Sequence, residues 1–339
     1  MSGGIDAARL GAWMRTQGLA GDGAPVVEPL AGGQSNPTYR VRTEQGDFVL
    51  RKRPPGQLLP SAHAIDREFR VMQALAATDV PVPRMVAWCP DTAVTGTEFY
   101  LMEFLAGRVF ADPALPASSP EERAAIYREM NRVIARLHSV DVDAVDLASF
   151  GRPGNYVARQ VARWIDQCKR ATLPLPAAMP ELMDWLPAHV PAATHTRLVH
   201  GDFRIDNLVF HPTEPRIIGV LDWELSTLGD PLADFSYHCM AWRVAPALWR
   251  GMGGLDLAAL GIPQEREYVR SYAEATRLAI ANWDFYMAYN LFRMAAILHG
   301  IAQRAAQGNA AAPDAQEVGA RAGPLANLAL AIARGATPV

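Results

Sequence analysis

Cysteine is scarce in this chain: Cys89, Cys168 and Cys239 are scattered over 339 residues and odd in number. That excludes a disulfide framework or a cysteine-based zinc cluster and points to a reducing compartment. Runs of basic residues are absent too, and 32 Lys and Arg against 35 Asp and Glu leave a net charge of −3, so the electrostatic footprint of a nucleic-acid binder is missing. No apolar stretch approaches the roughly 18 residues that a membrane span needs. The first residues, MSGGIDAARL, lack a basic and then apolar secretory pattern, and no repeat with a period of roughly 20 to 50 residues is visible. The expectation from these absences is a soluble, cytoplasmic protein without nucleic-acid or membrane partners; oligomeric state leaves no mark.

What is present is half hydrophobic, enough to build two domains with substantial cores. The chemistry concentrates between Leu198 and Phe235. His200, Gly201 and Asp202 are followed, after four residues, by Asn207, and the apolar run Ile217 to Leu221 ends in Asp222. Such a run, preceded by Pro212 and Pro215, reads as a buried strand whose terminal carboxylate leaves the core. Asn207 and Asp222 offer oxygens of the kind Mg²⁺ takes, one or two protein ligands with phosphates and water completing the shell. Asp202 is left to orient a hydroxyl and accept its proton. This is equipment for phosphoryl transfer.

These residues carry a resemblance. The segment is similar to the catalytic core of the aminoglycoside phosphotransferase and choline-kinase-like family, a branch of the protein-kinase-like fold. Kinases read H-R-D-x-x-x-x-N and D-F-G at the corresponding places; this chain reads H-G-D-F-R-I-D-N and L-D-W. The resemblance implies an α+β, two-lobed fold, with a small β-rich N-lobe over residues 1–104 and a larger, mainly helical C-lobe over 105–339. It implies ATP and Mg²⁺ as cofactors, Asp202 as catalytic base, and Asn207 and Asp222 as metal ligands. It also implies that Asp230 is a structural carboxylate that fixes the loop through backbone N–H groups. Seven residues separate Asp222 from Asp230, and no A-P-E follows. A protein kinase needs a longer segment there to dock a peptide, so a small-molecule hydroxyl acceptor fits better.

Towards the N-terminus, Ile5, Leu10, Trp13 and Met14 recur at helical spacing. From Val26 to Lys52 the pattern reads as a three-stranded meander with a Gly-rich first turn. In that turn Gly32 and Gly33 would let backbone N–H groups approach phosphates, with Ser35 or Asn36 adding side-chain contacts. The third strand ends in Arg51, Lys52 and Arg53 where kinases place a phosphate-binding Lys. Arg51 is the first choice for that role and Lys52 the reserve; alternation puts them on opposite faces. The helix from Ala62 to Ala77 brings Glu68 as the expected partner of Arg51. After two strand-like stretches, Met102 to Leu105 form the hinge in the resemblance, with Met102 as gatekeeper and Glu103 and Leu105 offering backbone C=O and N–H to adenine.

Past the hinge the pattern is helical. Ser119-Pro120-Glu121-Glu122 reads as a capping box, and Ile126 to Leu137 trace one apolar face ending at His138, expected to serve the terminal carbonyls. Further helices are expected at Tyr156 to Lys169, around Leu182 to Trp185, as a pair from Gln264 to Gln307, and weakly near the end. The second of the pair carries Asn290, Arg293 and His299 on an apolar face, as candidates to reach the acceptor. Three functions remain open: a kinase for a hydroxyacyl-CoA or related hydroxy acid, an aminoglycoside-type antibiotic kinase, and a catalytically silent nucleotide-binding module. The first is implied by likeness to kinase-like domains associated with acyl-CoA dehydrogenase proteins. An acidic acceptor pocket would mark the second.

Overall fold

The structure is a computed structural model that describes residues 5–30, 36–55, 65–192, 195–309 and 313–336. In chain order its first elements are α1 (Ala7–Thr16), β1 (Val26–Pro29), β2 (Thr38–Thr43), β3 (Gly46–Lys52), α2 (Ile65–Leu75), β4 (Met85–Cys89), the single turn α3 (Thr92–Thr95) and β5 (Phe99–Glu103). There follow α4 (Pro120–Leu137), α5 (Tyr156–Lys169), α6 (Met179–Ala188), β6 (Arg197–Val199), β7 (Leu208–Phe210), β8 (Ile217–Val220) and β9 (Thr227–Gly229). The chain ends in α7 (Pro231–Cys239), α8 (Leu257–Leu260), α9 (Glu265–Thr276), α10 (Trp283–Ala306), α11 (Ala315–Ala320) and α12 (Ala322–Ala333). These separate into two compact units, and the first gathers residues 1–108 with 143–147 and 208–226.

The first unit is built on an antiparallel sheet in the order β1-β2-β3-β5-β4. The meander expected between Val26 and Lys52 is there, in the register Tyr39 opposite Leu50 and Val41 opposite Phe48. Strand alternation sends Phe48 and Leu50 to one face, where they join Leu10 and Met14 of α1, Phe99 and Leu101 in a buried cluster. Trp13 closes it edge-on to Phe99, with ring centroids 4.9 Å apart. The other face meets α2, whose Phe69 packs against Trp88 and Tyr100.

The segment that ends in Asp222 belongs to this unit because its backbone is bonded into it. The Val220 N–H donates to the Pro81 carbonyl at 2.8 Å, and Arg108 and Phe210 exchange backbone hydrogen bonds at 2.8 Å. Gly219 and Gly107 permit that closeness: a Cβ at Gly219 would run into Leu105, and one at Gly107 would overlap the Phe210 carbonyl oxygen and lie 2.6 Å from Val209 Cγ1.

The second unit holds residues 109–142, 148–207 and 227–339. Its axis is α10, buried along most of its length, as a helix apolar nearly all round must be. Helices α12, α11, α7, α5 and α6 pack on it, and α4 pairs with α9. Strands β6 and β9 form a short antiparallel pair, and α7 follows at once, buried at every residue. Asp230 caps α7, accepting from Leu232 N at 2.8 Å and Ala233 N at 3.3 Å, with Pro231 at the first helical position. Ser119 caps α4 as expected. The aromatic character of α10 serves the core: Phe285, Tyr286, Tyr289 and Phe292 are all buried.

Gly107→Ala should destabilise the first unit by about 2 kcal/mol, the scale of forcing a methyl group into a packed interior. Urea denaturation of the variant beside a surface Ala control measures it.

Candidate active site

In the second unit, the turn at His200 to Asp202 is held by a buried carboxylate. Asp234 accepts from His200 N at 2.7 Å and from Gly201 N at 2.8 Å. His138 Nε2 lies 3.1 Å from the same carboxylate, and its Nδ1 is 2.6 Å from the Tyr272 hydroxyl. Burial alone would raise the pKa of Asp234, yet the contacts with His138, the charge near His200 and the backbone donor hold it below the ordinary value. Gly201 sits at φ +85°, where a side chain would be strained. The carboxylate that fixes this loop is therefore Asp234, four residues beyond the expected Asp230. Asp230 instead caps α7 and accepts the Tyr286 hydroxyl at 2.9 Å. His138 likewise serves Asp234 through its ring, where a role at the carbonyls of its own helix was expected.

The Asp202 carboxylate is ringed by donors. Oδ1 accepts from the Tyr237 hydroxyl at 2.6 Å and Arg204 Nε at 2.8 Å; Oδ2 accepts from Asn207 Nδ2 at 3.0 Å and the Arg204 guanidinium at 3.2 Å. Asn207 Nδ2 also donates to the Asp202 carbonyl at 2.8 Å. With its nitrogen committed twice, the amide oxygen of Asn207 is the end left for a cation. Arg204 was passed over in the sequence, although it lies inside the motif; Tyr237, 35 residues from Asp202, had no signal beyond following Asp234. Burial pushes the Tyr237 pKa up, and Asp202 adds to the rise, so its hydroxyl stays a donor.

In the first unit, Arg51 and Lys52 diverge as alternation requires. Lys52 is buried on the α1 side with its ammonium on the Thr95 carbonyl. Arg51 lies on the α2 side, its Nε 2.9 Å from Glu68 Oε2 in an ion pair whose N–H direction misses the oxygen. Its outer nitrogen is 2.9 Å from Asp222 Oδ1 and 3.7 Å from Glu224. Burial works against the Arg51 cation, but Glu68, then Tyr100, Asp222 and Glu224 outweigh it, and its pKa is raised. Asp222 takes the left-handed conformation, φ 65° and ψ 58°. Asp tolerates this better than most residues, and the twist ends the period-two alternation of β8 at the carboxylate.

Glu68 is 1% exposed, and the Asn36 amide and the Tyr100 hydroxyl donate to it at 2.9 and 3.0 Å. Burial pushes its pKa up to about 7 against the pull of Arg51. Asn36 corrects one expectation: it is fully buried and holds Glu68, where contact with phosphate was anticipated. Gly32, Gly33 and Ser35, the rest of that turn, lie outside the described residues. At the hinge, Met102 pairs with Val49 and Glu103 with Phe48. The Glu103 N–H donates to the Arg84 carbonyl at 3.0 Å, and Leu105 packs its side chain on Gly219.

A cavity of about 60 Å³ lies within the second unit, and Arg204, Tyr237, Met130, Trp242, Leu291 and Met294 are among the residues that line it. Arg204 and Arg250 both contact Asp206, the first at 3.4 Å. The α10 polar residues face elsewhere: Asn290 donates to the Ala233 carbonyl, Arg293 to the Gly201 carbonyl at 2.9 Å, and His299 is 3.1 Å from the Pro174 carbonyl. Arg293 thus braces the turn at His200 to Asp202.

Among the described residues no three or more His, Cys, Asp or Glu gather as a metal cage. Asn207 in the second unit and Asp222 in the first each carry an oxygen of the kind that Mg²⁺ takes in the sparser sort of site that phosphates complete. The family model of the phosphotransferase enzyme family matches residues 26–289. The chain belongs to that family. It is 49% identical over 300 residues to acyl-CoA dehydrogenase family member 10 of Mus musculus, which covers 88% of this chain but only 28% of that relative. A crystal structure of a provisionally assigned aminoglycoside phosphotransferase from Ralstonia eutropha superposes with a TM-score of 0.90 at 49% identity, covering 98% of this chain and all of that one. A thermostable aminoglycoside phosphotransferase in complex with ADP and hygromycin B shares the fold at a TM-score of 0.59 and 14% identity, covering 94% of this chain and 97% of that one. The phosphotransferase fold expected from the catalytic motif is thus shown. No helix among the described residues is long and apolar enough to cross a membrane.

The buried Glu68 gives the chain a pH signature. A carboxyl whose folded pKa is raised from 4.5 to about 7 binds more protons folded than unfolded across that window. Its contribution to stability is therefore present below about pH 4.5 and lost as pH rises through 7, on the order of 3 kcal/mol. Glu68→Gln should flatten the fall between pH 4.5 and 7, which thermal unfolding across that range measures.

Proposed function

We propose that the chain is a Mg²⁺-dependent kinase that moves the γ-phosphoryl group of ATP to the hydroxyl of a small hydroxy acid or its acyl-CoA thioester. The observation that carries the acceptor class is the cavity beside Asp202, apolar along most of its wall and bounded by Arg204 and Arg250. An aminoglycoside is a polycation and calls for carboxylates without internal counterions. Asp206, the carboxylate lining this cavity, is already in contact with both arginines. An acceptor with an apolar body and an anionic part complements such a wall. A relative named for acyl-CoA chemistry supports the thioester.

Asp202 orients the acceptor hydroxyl and receives its proton while the acceptor oxygen bonds to the γ-phosphorus. The bond from that phosphorus to the β,γ-bridging oxygen breaks, and ADP leaves. The four lone-pair directions of the carboxylate are all taken in this structure, so the acceptor hydroxyl displaces one of the donors. Arg51 is the phosphate cation, oriented by Glu68 and moving from Asp222 to the nucleotide. Asn207 and Asp222 would supply oxygens to Mg²⁺, which when bound would neutralise charge on the phosphates. Met102, Glu103 and Leu105 are the adenine segment, read through backbone groups. The cytoplasm remains the expected compartment.

Thermal unfolding with nucleotide tests the reading first. ATP with Mg²⁺ should raise Tm and EDTA should abolish the shift; no shift with any nucleotide would favour the silent module. Asp202→Ala should lower kcat by a factor of about 10² or more, and retention within tenfold of wild type removes Asp202 as base. Arg51→Ala should raise the KM for ATP about tenfold or more, whereas Lys52→Ala should act on stability; the reverse pattern would hand the role to Lys52.

A further inference from the structure

The cavity lined by Tyr237 and Arg204, both hydrogen-bonded to Asp202, has a mixed wall. Tyr237 forms part of its wall and places its hydroxyl 2.6 Å from Asp202 Oδ1. Much of the rest of its lining is apolar, with Met130, Trp242, Leu291 and Met294 all buried. His238 adds no charge, since burial pushes its pKa down to about 4 and its Nε2 is engaged with the Tyr268 hydroxyl at 2.8 Å. A recess with such walls gains nothing by holding water, which needs two or more polar partners, and accepts apolar atoms instead.

Its size is restrictive. About 60 Å³ is well under the roughly 150 Å³ of a cavity that takes benzene. A few carbons of a straight chain match that volume more closely than a sugar or aromatic ring does. Methionine side chains at Met130 and Met294 are adaptable, so the limit is set by packing that yields gradually.

Resting on the kinase reading above, we propose that this cavity receives the alkyl end of the acceptor, beyond the carbon that bears the reacting hydroxyl. Met130, Leu291 and Met294 then set how many carbons are accepted. The tail inserts past Tyr237, which leaves the hydroxyl beside Asp202 and the charged remainder of the acceptor near Arg204 and Arg250. Chain length is measured from the hydroxyl outward, and these three side chains are specificity determinants that take no part in the chemistry.

The test uses the full chain, ATP, Mg²⁺ and a series of straight-chain hydroxyacyl-CoA thioesters that differ only in the number of carbons beyond the hydroxyl. For the wild type, kcat/KM should rise about fourfold per added methylene, the ratio expected for burying one, and then drop at a definite length. Ala241→Leu, a filling substitution at a half-buried lining position, should move the drop to shorter tails. Met294→Ala should move it to longer ones, and the KM for ATP should stay within twofold in both. A length profile unchanged in folded Ala241→Leu overturns the proposal. If wild type turns over no thioester, the kinase reading fails separately, and the cavity is read by thermal unfolding with a series of straight-chain 2-alkanols. A length-dependent rise in Tm that Ala241→Leu removes then supports the apolar subsite, and identical behaviour of the two proteins refutes it.

Discussion

The loop that carries Asp202 depends on one buried acceptor, the carboxylate of Asp234. Two consecutive backbone N–H groups, of His200 and Gly201, converge on it, and the left-handed turn at Gly201 aims them there. Hydrogen bonds to an ionised acceptor are stronger than neutral ones. Because Asp234 lies on a helix buried at every residue, the loop inherits the rigidity of the helical core. His138 from α4 and, behind it, Tyr272 from α9 tie two more helices to the same point. Positioning of Asp202 is thus distributed over segments that are far apart in sequence.

The first unit solves a different problem, that of keeping a cation ready in a dry place. Arg51 is 11% exposed, and an unpaired charge there would be very unfavourable. Glu68 compensates it, while Asn36 and Tyr100 satisfy Glu68 in turn. The outer nitrogen, on Asp222 at 2.9 Å, is the part that can change partners without stranding the charge. Arginine suits this because its fork holds one carboxylate from the side while presenting its end to another anion, which a point-charge lysine does less well.

Much of this was legible in the sequence. Period-two alternation separated Arg51 from Lys52, the amphipathic stripe of α2 brought Glu68 to the sheet, and the spacing of Asp202 and Asn207 marked the loop. What the sequence did not disclose depends on contacts between distant segments. Asp230 and Asp234 flank one helix start, and only the fold decides which reaches the loop. Asn36 read as a turn residue because burial has no local signature in a polar side chain. Tyr237 and the apolar cavity are products of helix packing, and the polar residues of α10 looked like pocket residues when they are in fact braces.

If Asp202 is the base, as proposed, the saturation of its carboxylate bears on selectivity against solvent. A carboxylate with a vacant lone pair would readily hold a water molecule in line for attack, and a phosphotransferase with such a base would dissipate nucleotide. Here a newcomer must evict the Tyr237 hydroxyl, an arm of Arg204 or the Asn207 amide. Water exchanges one hydrogen bond for another and has no further contacts to offset the loss. A larger acceptor would bring the rest of its surface to the exchange, so on the proposed role of Asp202 as base the same ring of donors would also serve as a threshold that an acceptor crosses and solvent does not.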